Sequence, residues 1–134
     1  MALGGGGVRG FAHLGVLRIL EREGLAPRAI AGTSMGAIIA ALYALSPSLN
    51  AVEQRMGEFF ARFAPALSQL TTRIAASRGG IAVDEPSLLD AGEFHQYFDE
   101  LIPDVTFETA RVPLAVVAVD LVSGQEVVFT SGSV

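Results

Sequence analysis

The chain has 134 residues, 51% of them hydrophobic and 17% charged, which supplies apolar side chains for one compact domain. Its net charge of -5, with no lysine anywhere, offers no cationic face for a phosphate backbone and argues against nucleic acid as a partner. The absence of cysteine excludes disulfides and thiolate-bound metal.

Fifteen glycines and a mean hydropathy of +0.48 describe a chain rich in buried elements and tight turns, which favours a layered α/β fold. Residues 1–3 read as the end of a strand, broken by four glycines at 4–7 that tolerate positive φ. Because this start lacks a basic segment followed by an apolar one, no secretory leader is expected. Over residues 9–23, Phe11, Leu14, Leu17 and Leu20 recur at helical spacing, with Arg18, Glu21, Arg22 and Glu23 on other faces and Gly24 as a stop. A short strand is expected at 29–31. Residues 35–45 form a helix apolar on nearly every side, hence a buried one. Its apolar run, 37–45, is far shorter than the roughly 20 residues a bilayer requires.

Ser46-Pro47-Ser48 ends that helix, and residues 51–64 resume helically with Met56, Phe59, Phe60 and Phe63 on one side. These four side chains suit core packing better than a surface for acyl chains. Pro65 is expected to interrupt or end the helix. Residues 68–86, with Gly and Pro in "SRGGIAVDEPS", read as a loop, and 50–85 as a cap or mobile region. A further helix or two should occupy 88–101, entered at Asp90 with Glu93 as its capping-box partner. "VPLAVVAV" at 112–119 has the composition of a strand buried on both faces. Ser123-Gly124 turns it into a partner strand at 126–130, so that 112–130 forms a hairpin at the sheet edge.

The order strand, glycine turn, helix, strand, Gly32-Thr33-Ser34-Met35-Gly36, helix carries the chemistry. In a nucleophile elbow the serine stands on a sharp strand-to-helix turn, and the positions flanking it must be small. Gly32 and Gly36 meet that need. The helix that starts there aims its amides and dipole at the place where negative charge develops during attack on an ester. Backbone N–H groups of Gly5, Gly6 and Gly7 are suited to receive the oxyanion. The competing reading makes Ser34 a helix cap.

Gly5-x-Gly7-x-x-Gly10 also fits a dinucleotide fingerprint, so a Rossmann-like binding module is the alternative. That module needs an acidic residue closing the second strand to hold a ribose, where this chain has Gly32-Thr33-Ser34. Glu21 and Glu23 lie too early, and no Lys-Ser or Lys-Thr follows the glycines as a P-loop requires. Two histidines invite a Ser-His-Asp triad with Asp84 or Asp90 as the acid. His13, one turn into the first helix, suits a structural role better, and His95 falls in the ill-defined helical stretch. The serine also comes too early for an α/β-hydrolase sheet.

"LGGGGVRGFAHLGVLRILEREG", "IAGTSMGAIIAALYA" and "VPLAVVAVDLVSGQEVVFTSG", in that order, resemble the bacterial patatin-like phospholipases. The resemblance covers most of the chain apart from about residues 50–85. It implies a three-layer α/β sandwich around a mainly parallel sheet, of which this chain holds the N-terminal part. It also implies a lipid acyl hydrolase with a Ser-Asp dyad and no histidine or cofactor. By that resemblance Ser34 is the nucleophile, Gly5, Gly6, Gly7, Arg9 and Gly10 belong to the oxyanion loop, and Gly32, Thr33, Met35 and Gly36 build the elbow. A lipid or acyl-ester substrate, peripheral contact with a membrane and a cytoplasmic location follow.

The dyad aspartate of those proteins sits in an Asp-Gly-Gly or Asp-Gly-Ala motif, which this sequence lacks. Asp90-Ala91-Gly92 precedes the strand it should follow, and Asp120, which ends that strand, does not hold the dyad position. The 134 residues alone are therefore expected to turn over little ester and to expose apolar surface that favours self-association.

Overall fold

The computed structural model describes residues 1–76, 96, 98–102 and 105–134. The chain divides into two compact units, Met1–Glu53 with Asp104–Val134, and Gln54–Pro103.

The first unit is a four-stranded sheet with helices, mixed α/β as expected. Strand β1 (Ala2–Leu3) leads through a 3₁₀ turn at Gly7–Phe11 into helix α1 (Ala12–Arg22). Strand β2 (Ile30–Gly32) is followed by helix α2 (Met35–Leu45), and α3 (Leu49–Ala76) begins after it. Strands β3 (Leu114–Val119) and β4 (Glu126–Phe129) close the sheet in the order β1-β2-β3-β4. The first three strands are parallel, with Leu3 opposite Gly32 and Gly32 opposite Val116. The fourth is antiparallel at the edge, with Val117 opposite Val128, the hairpin the sequence predicts.

Side-chain alternation decides which face of this sheet is covered. Leu3, Ile30 and Leu114 fall on one face and are buried, while Ala2, Ala31, Ala115 and Val117 fall on the other and retain accessible surface. Helix α2 packs against β1, β2 and β3 and buries Ile39 to Ala44 in succession, as its all-round apolar composition requires. Helix α1 is amphipathic, burying Leu14 and Leu17. It is tied to α3 by a salt bridge from Arg18 to Glu53 and by Glu21, whose Oε1 accepts the Leu49 N–H at 2.8 Å.

In the second unit Phe59 meets Phe60 and Phe98 edge-on, each at 5.7 Å between ring centroids. Met56 and Phe59 are buried, in keeping with packing rather than an acyl-binding surface, and the Phe63 side chain lies outside the described residues. Arg62 pairs with Glu100, and Arg55 donates to the Leu101 carbonyl at 3.1 Å. No helix among the described residues is long and apolar enough to cross a membrane.

Three expectations are corrected. Pro65 neither interrupts nor ends its helix, because α3 runs through it to Ala76. Proline removes one N–H and crowds the preceding turn, at about 3 kcal/mol, yet good helix formers on both sides keep their own bonds. Residues 68–76 are accordingly helix rather than loop, while 77–86 fall outside the described residues. Strand β3 is not buried on both faces: Leu114 is 6% exposed but Val119 is 60%. The strand outruns β2 beyond Val116, and there its strand partner is β4 alone. Asp84, Asp90, Glu93 and His95 lie outside the described residues, and of the helix expected over 88–101 the stretch 98–101 is helical.

Candidate active site

Because β1, β2 and β3 are parallel, their carboxyl ends meet at one edge of the sheet, the side on which open α/β sheets take ligands. The glycine turn follows β1 there, Thr33 and Ser34 follow β2, and Asp120 follows β3.

The turn at Ser34 is made within two residues. Thr33 N–H closes the ladder on the Leu3 carbonyl at 3.1 Å, while Gly36 N–H already bonds to Thr33 O at 3.0 Å and Ala37 N–H to Ser34 O at 2.8 Å. Between strand and helix Ser34 takes φ 52°, ψ -129°, the one non-glycine residue at positive φ among the described residues. Such a conformation costs about 1–3 kcal/mol and persists only where its surroundings impose it.

The imposing contacts explain the glycines on either side. A Cβ on Gly36 would strike the Leu3 carbonyl and stand 2.6 Å from Gly4 O. One on Gly32 would strike the Gly36 carbonyl and stand 2.6 Å from Ala37 Cα. Met35 is half-buried and lies over Gly10, where a Cβ would come within 2.8 Å of the Met35 Cβ.

Ser34 stands at the position before the first residue of α2 but does not cap it, since its side chain makes no capping hydrogen bond. A capping residue takes β-region backbone angles, unlike those found here. The side chain is exposed, and Gly5 lies against it: a Cβ on Gly5 would sit 3.1 Å from Ser34 Cβ and 3.7 Å from its Oγ. Gly6 and Gly7 follow at φ 146° and 54°, and Arg9 N–H closes the turn on Gly6 O at 3.2 Å. The Gly5 and Gly6 amides donate no hydrogen bond to the described residues. Gly10 is buried and Arg9 exposed.

The remaining candidates serve the backbone. His13 Nε2 lies 2.9 Å from the Gly4 carbonyl oxygen, which can only accept, so the ring nitrogen donates. Asp120 Oδ1 accepts from Val122 N–H at 2.7 Å and Ser123 N–H at 3.1 Å, fixing the hairpin turn. Those bonds, Ser123 first, hold its carboxyl below the usual aspartate range. Asp120 also follows Val116 by four residues, about 13 Å along an extended strand, whereas Ser34 turns off two residues after Gly32, the partner of Val116.

One edge thus holds an exposed hydroxyl on a strained turn, N–H groups beside it that have no partner among the described residues, and the positive end of α2, a setting able to stabilise an anion formed at Ser34. Where the dinucleotide alternative needs a ribose-binding acid, the strand ends instead in Ser34 set against the glycine turn. The link from His13 to Gly4 escaped the sequence reading, because periodicity reports which face a residue occupies and not which carbonyl its ring reaches.

A family model described as patatin-like phospholipase matches residues 1–132. An NTE family protein of Mycobacterium tuberculosis is 32% identical over 132 residues, which is 98% of this chain and 33% of the relative. A patatin-like phospholipase domain-containing protein of Caenorhabditis elegans is 48% identical over 60 residues, covering 45% of this chain and 4% of its own length. Neuropathy target esterase sws of Drosophila melanogaster is 26% identical over 133 residues, 99% of this chain and 9% of that protein. The chain spans about a third of the mycobacterial relative it matches.

Proposed function

The chain belongs to the patatin-like phospholipase family, and we propose that it carries the nucleophile and oxyanion loop of a serine hydrolase acting on lipid acyl esters. The observation that carries the reading is Ser34 itself, exposed and uncapped at φ 52° beside the glycine turn. A residue that only started a helix would gain nothing from that strain.

In this reaction Ser34 Oγ attacks the ester carbonyl and gives up its proton to a carboxylate. Negative charge gathers on the former carbonyl oxygen, where the amides of Gly5, Gly6 and Gly7 receive it within the loop completed by Arg9 and Gly10. The tetrahedral intermediate collapses with loss of the alcohol, which takes up the proton. Water then attacks the acyl-serine, the same carboxylate serving as base, and Ser34 is restored. Each oxyanion donor is worth about 3–4 kcal/mol of transition-state stabilisation. Gly32, Thr33, Met35 and Gly36 hold the turn.

The carboxylate is an aspartate from outside residues 1–134, forming a Ser-Asp dyad. Support comes from Asp120, the one carboxylate that follows a strand at this edge among the described residues, being bound into its own turn. The substrate is a phospholipid or lysophospholipid met at a membrane surface from the cytoplasm.

Hydrolysis of a lysophospholipid and of a p-nitrophenyl ester, by a form of the protein extended past Val134, tests the reading. Ser34→Ala should lower kcat by about 10³-fold or more, as loss of a covalent nucleophile does. Activity unchanged by that substitution would refute the assignment.

A further inference from the structure

We propose that His13 is a positioning residue for this reaction: its ring holds the Gly4 carbonyl and thereby aims the Gly5 amide at the oxyanion site beside Ser34. The proposal rests on the reading of Ser34 as nucleophile.

A peptide unit is planar and trans, so the Gly4 C=O and the Gly5 N–H lie in one plane and point in opposite directions. Whatever fixes the carbonyl fixes the amide. His13 Nε2–H donates to that carbonyl at 2.9 Å, from the first turn of α1 back across nine residues to the end of β1. From the beginning of α2, Gly36 approaches the same oxygen so closely that a Cβ there would stand 2.6 Å away. The carbonyl is therefore set by α1 through a hydrogen bond and by α2 through contact. The ring is itself seated, half-buried, with Cδ2 3.9 Å from where a Gly10 Cβ would lie.

The need for such a hold comes from the glycines. Consecutive glycines have more conformational freedom to lose than any other residues, and the Gly5 and Gly6 amides make no hydrogen bond of their own to the described residues. Left unstapled, these amides would face Ser34 for only part of the time. Electrostatic stabilisation is effective when its donors are already in place as charge develops. The hydrogen bond also polarises the Gly4–Gly5 amide, making its N–H a stronger donor. Since the imidazolium keeps the Nε2 hydrogen, the hold survives protonation of the ring.

This role differs from that of a catalytic base in a way substitution can read. Glutamine can place a donor where Nε2 stands but cannot accept the serine proton. In the extended protein, His13→Leu should lower kcat for a p-nitrophenyl ester by about 10- to 100-fold with KM changed by less than about twofold, as loss of a transition-state interaction does. His13→Gln should recover kcat to within about threefold of wild type. Nitrogen NMR of the imidazole should show the Nε2–H tautomer.

Wild-type kcat in His13→Leu, or a His13→Gln variant as impaired as His13→Leu, would overturn the proposal while an inactive Ser34→Ala left the nucleophile standing. An Nδ1–H tautomer would overturn it independently of any activity. Full activity in Ser34→Ala would instead refute the nucleophile, and the proposal with it.

Discussion

Ser34 holds a φ of 52° without glycine's freedom and without a capping bond to repay it. Two accounts of the residue therefore predict opposite stability changes. If it served as a cap, its removal would cost about 1 kcal/mol. On the strained-turn account, Ser34→Gly relieves the backbone and raises stability by about 1 kcal/mol. Urea denaturation of the two proteins gives the sign. The flanking glycines answer to space instead. Gly36→Ala drives a methyl group into the Leu3 carbonyl, and because the obstacle is backbone no rotamer relieves it. It should lower stability by about 3 kcal/mol or prevent folding, a loss that thermal melting would report. Gly5→Ala is the milder change, since its methyl would meet a side chain at 3.1 Å, and it should fold while crowding Ser34.

At the level of elements, the pattern of apolar residues located α1, β2, α2 and the β3–β4 hairpin within a few residues of where they lie. Each of these signals is local: the glycine break after Leu3, the all-round apolar 35–45 segment, Ser123-Gly124 between two β-rich runs. What could not be read was non-local. Pro65 looked like a stop because its cost is visible in sequence, whereas the helix on either side that absorbs it is not. The exposure of Val119 depends on β2 ending at Gly32, a fact of register rather than of composition. The start of α3 is another such case, since Glu21 on α1 caps Leu49 across 28 positions. Glu21→Ala should cost about 1 kcal/mol, the usual value of a cap, and speed amide exchange in the first turn of α3. Ionised Asp120 strengthens the hairpin turn through its bonds to the Val122 and Ser123 amides. Its carboxyl is depressed below the ordinary value, so its contribution is present above about pH 4, where a free aspartate ionises, and is lost as pH falls through the folded value. Acid titration followed by NMR should move the Val122 and Ser123 amides with a midpoint below that of a free aspartate. A midpoint at or above it would contradict the turn.

At the scale of the whole molecule, membership of the patatin-like phospholipase family and the proposed site around Ser34 agree. The glycine turn and elbow were legible in sequence because backbone geometry dictates their residue types. The proton acceptor of the proposed dyad was not, because no Asp-Gly-Gly or Asp-Gly-Ala motif occurs in these residues. Val119, Leu121, Val122, Val128 and Phe129 are all exposed on β3, β4 and the turn between them, with Leu121 at 88% and Val122 at 98%. Apolar exposure of that kind favours association, so sedimentation of the 134-residue chain should show concentration-dependent oligomers that Leu121→Ser with Val122→Ser reduces. The central claim is that Ser34 is a nucleophile whose base lies elsewhere. Labelling by a fluorophosphonate probe, with the modified residue located by mass spectrometry, tests it most directly in this chain and in a form extended past Val134. The account predicts an adduct on Ser34 in the extended protein, little in the 134-residue chain and none after Ser34→Ala. An extended protein that stays unlabelled, or one labelled equally after Ser34→Ala, would contradict it.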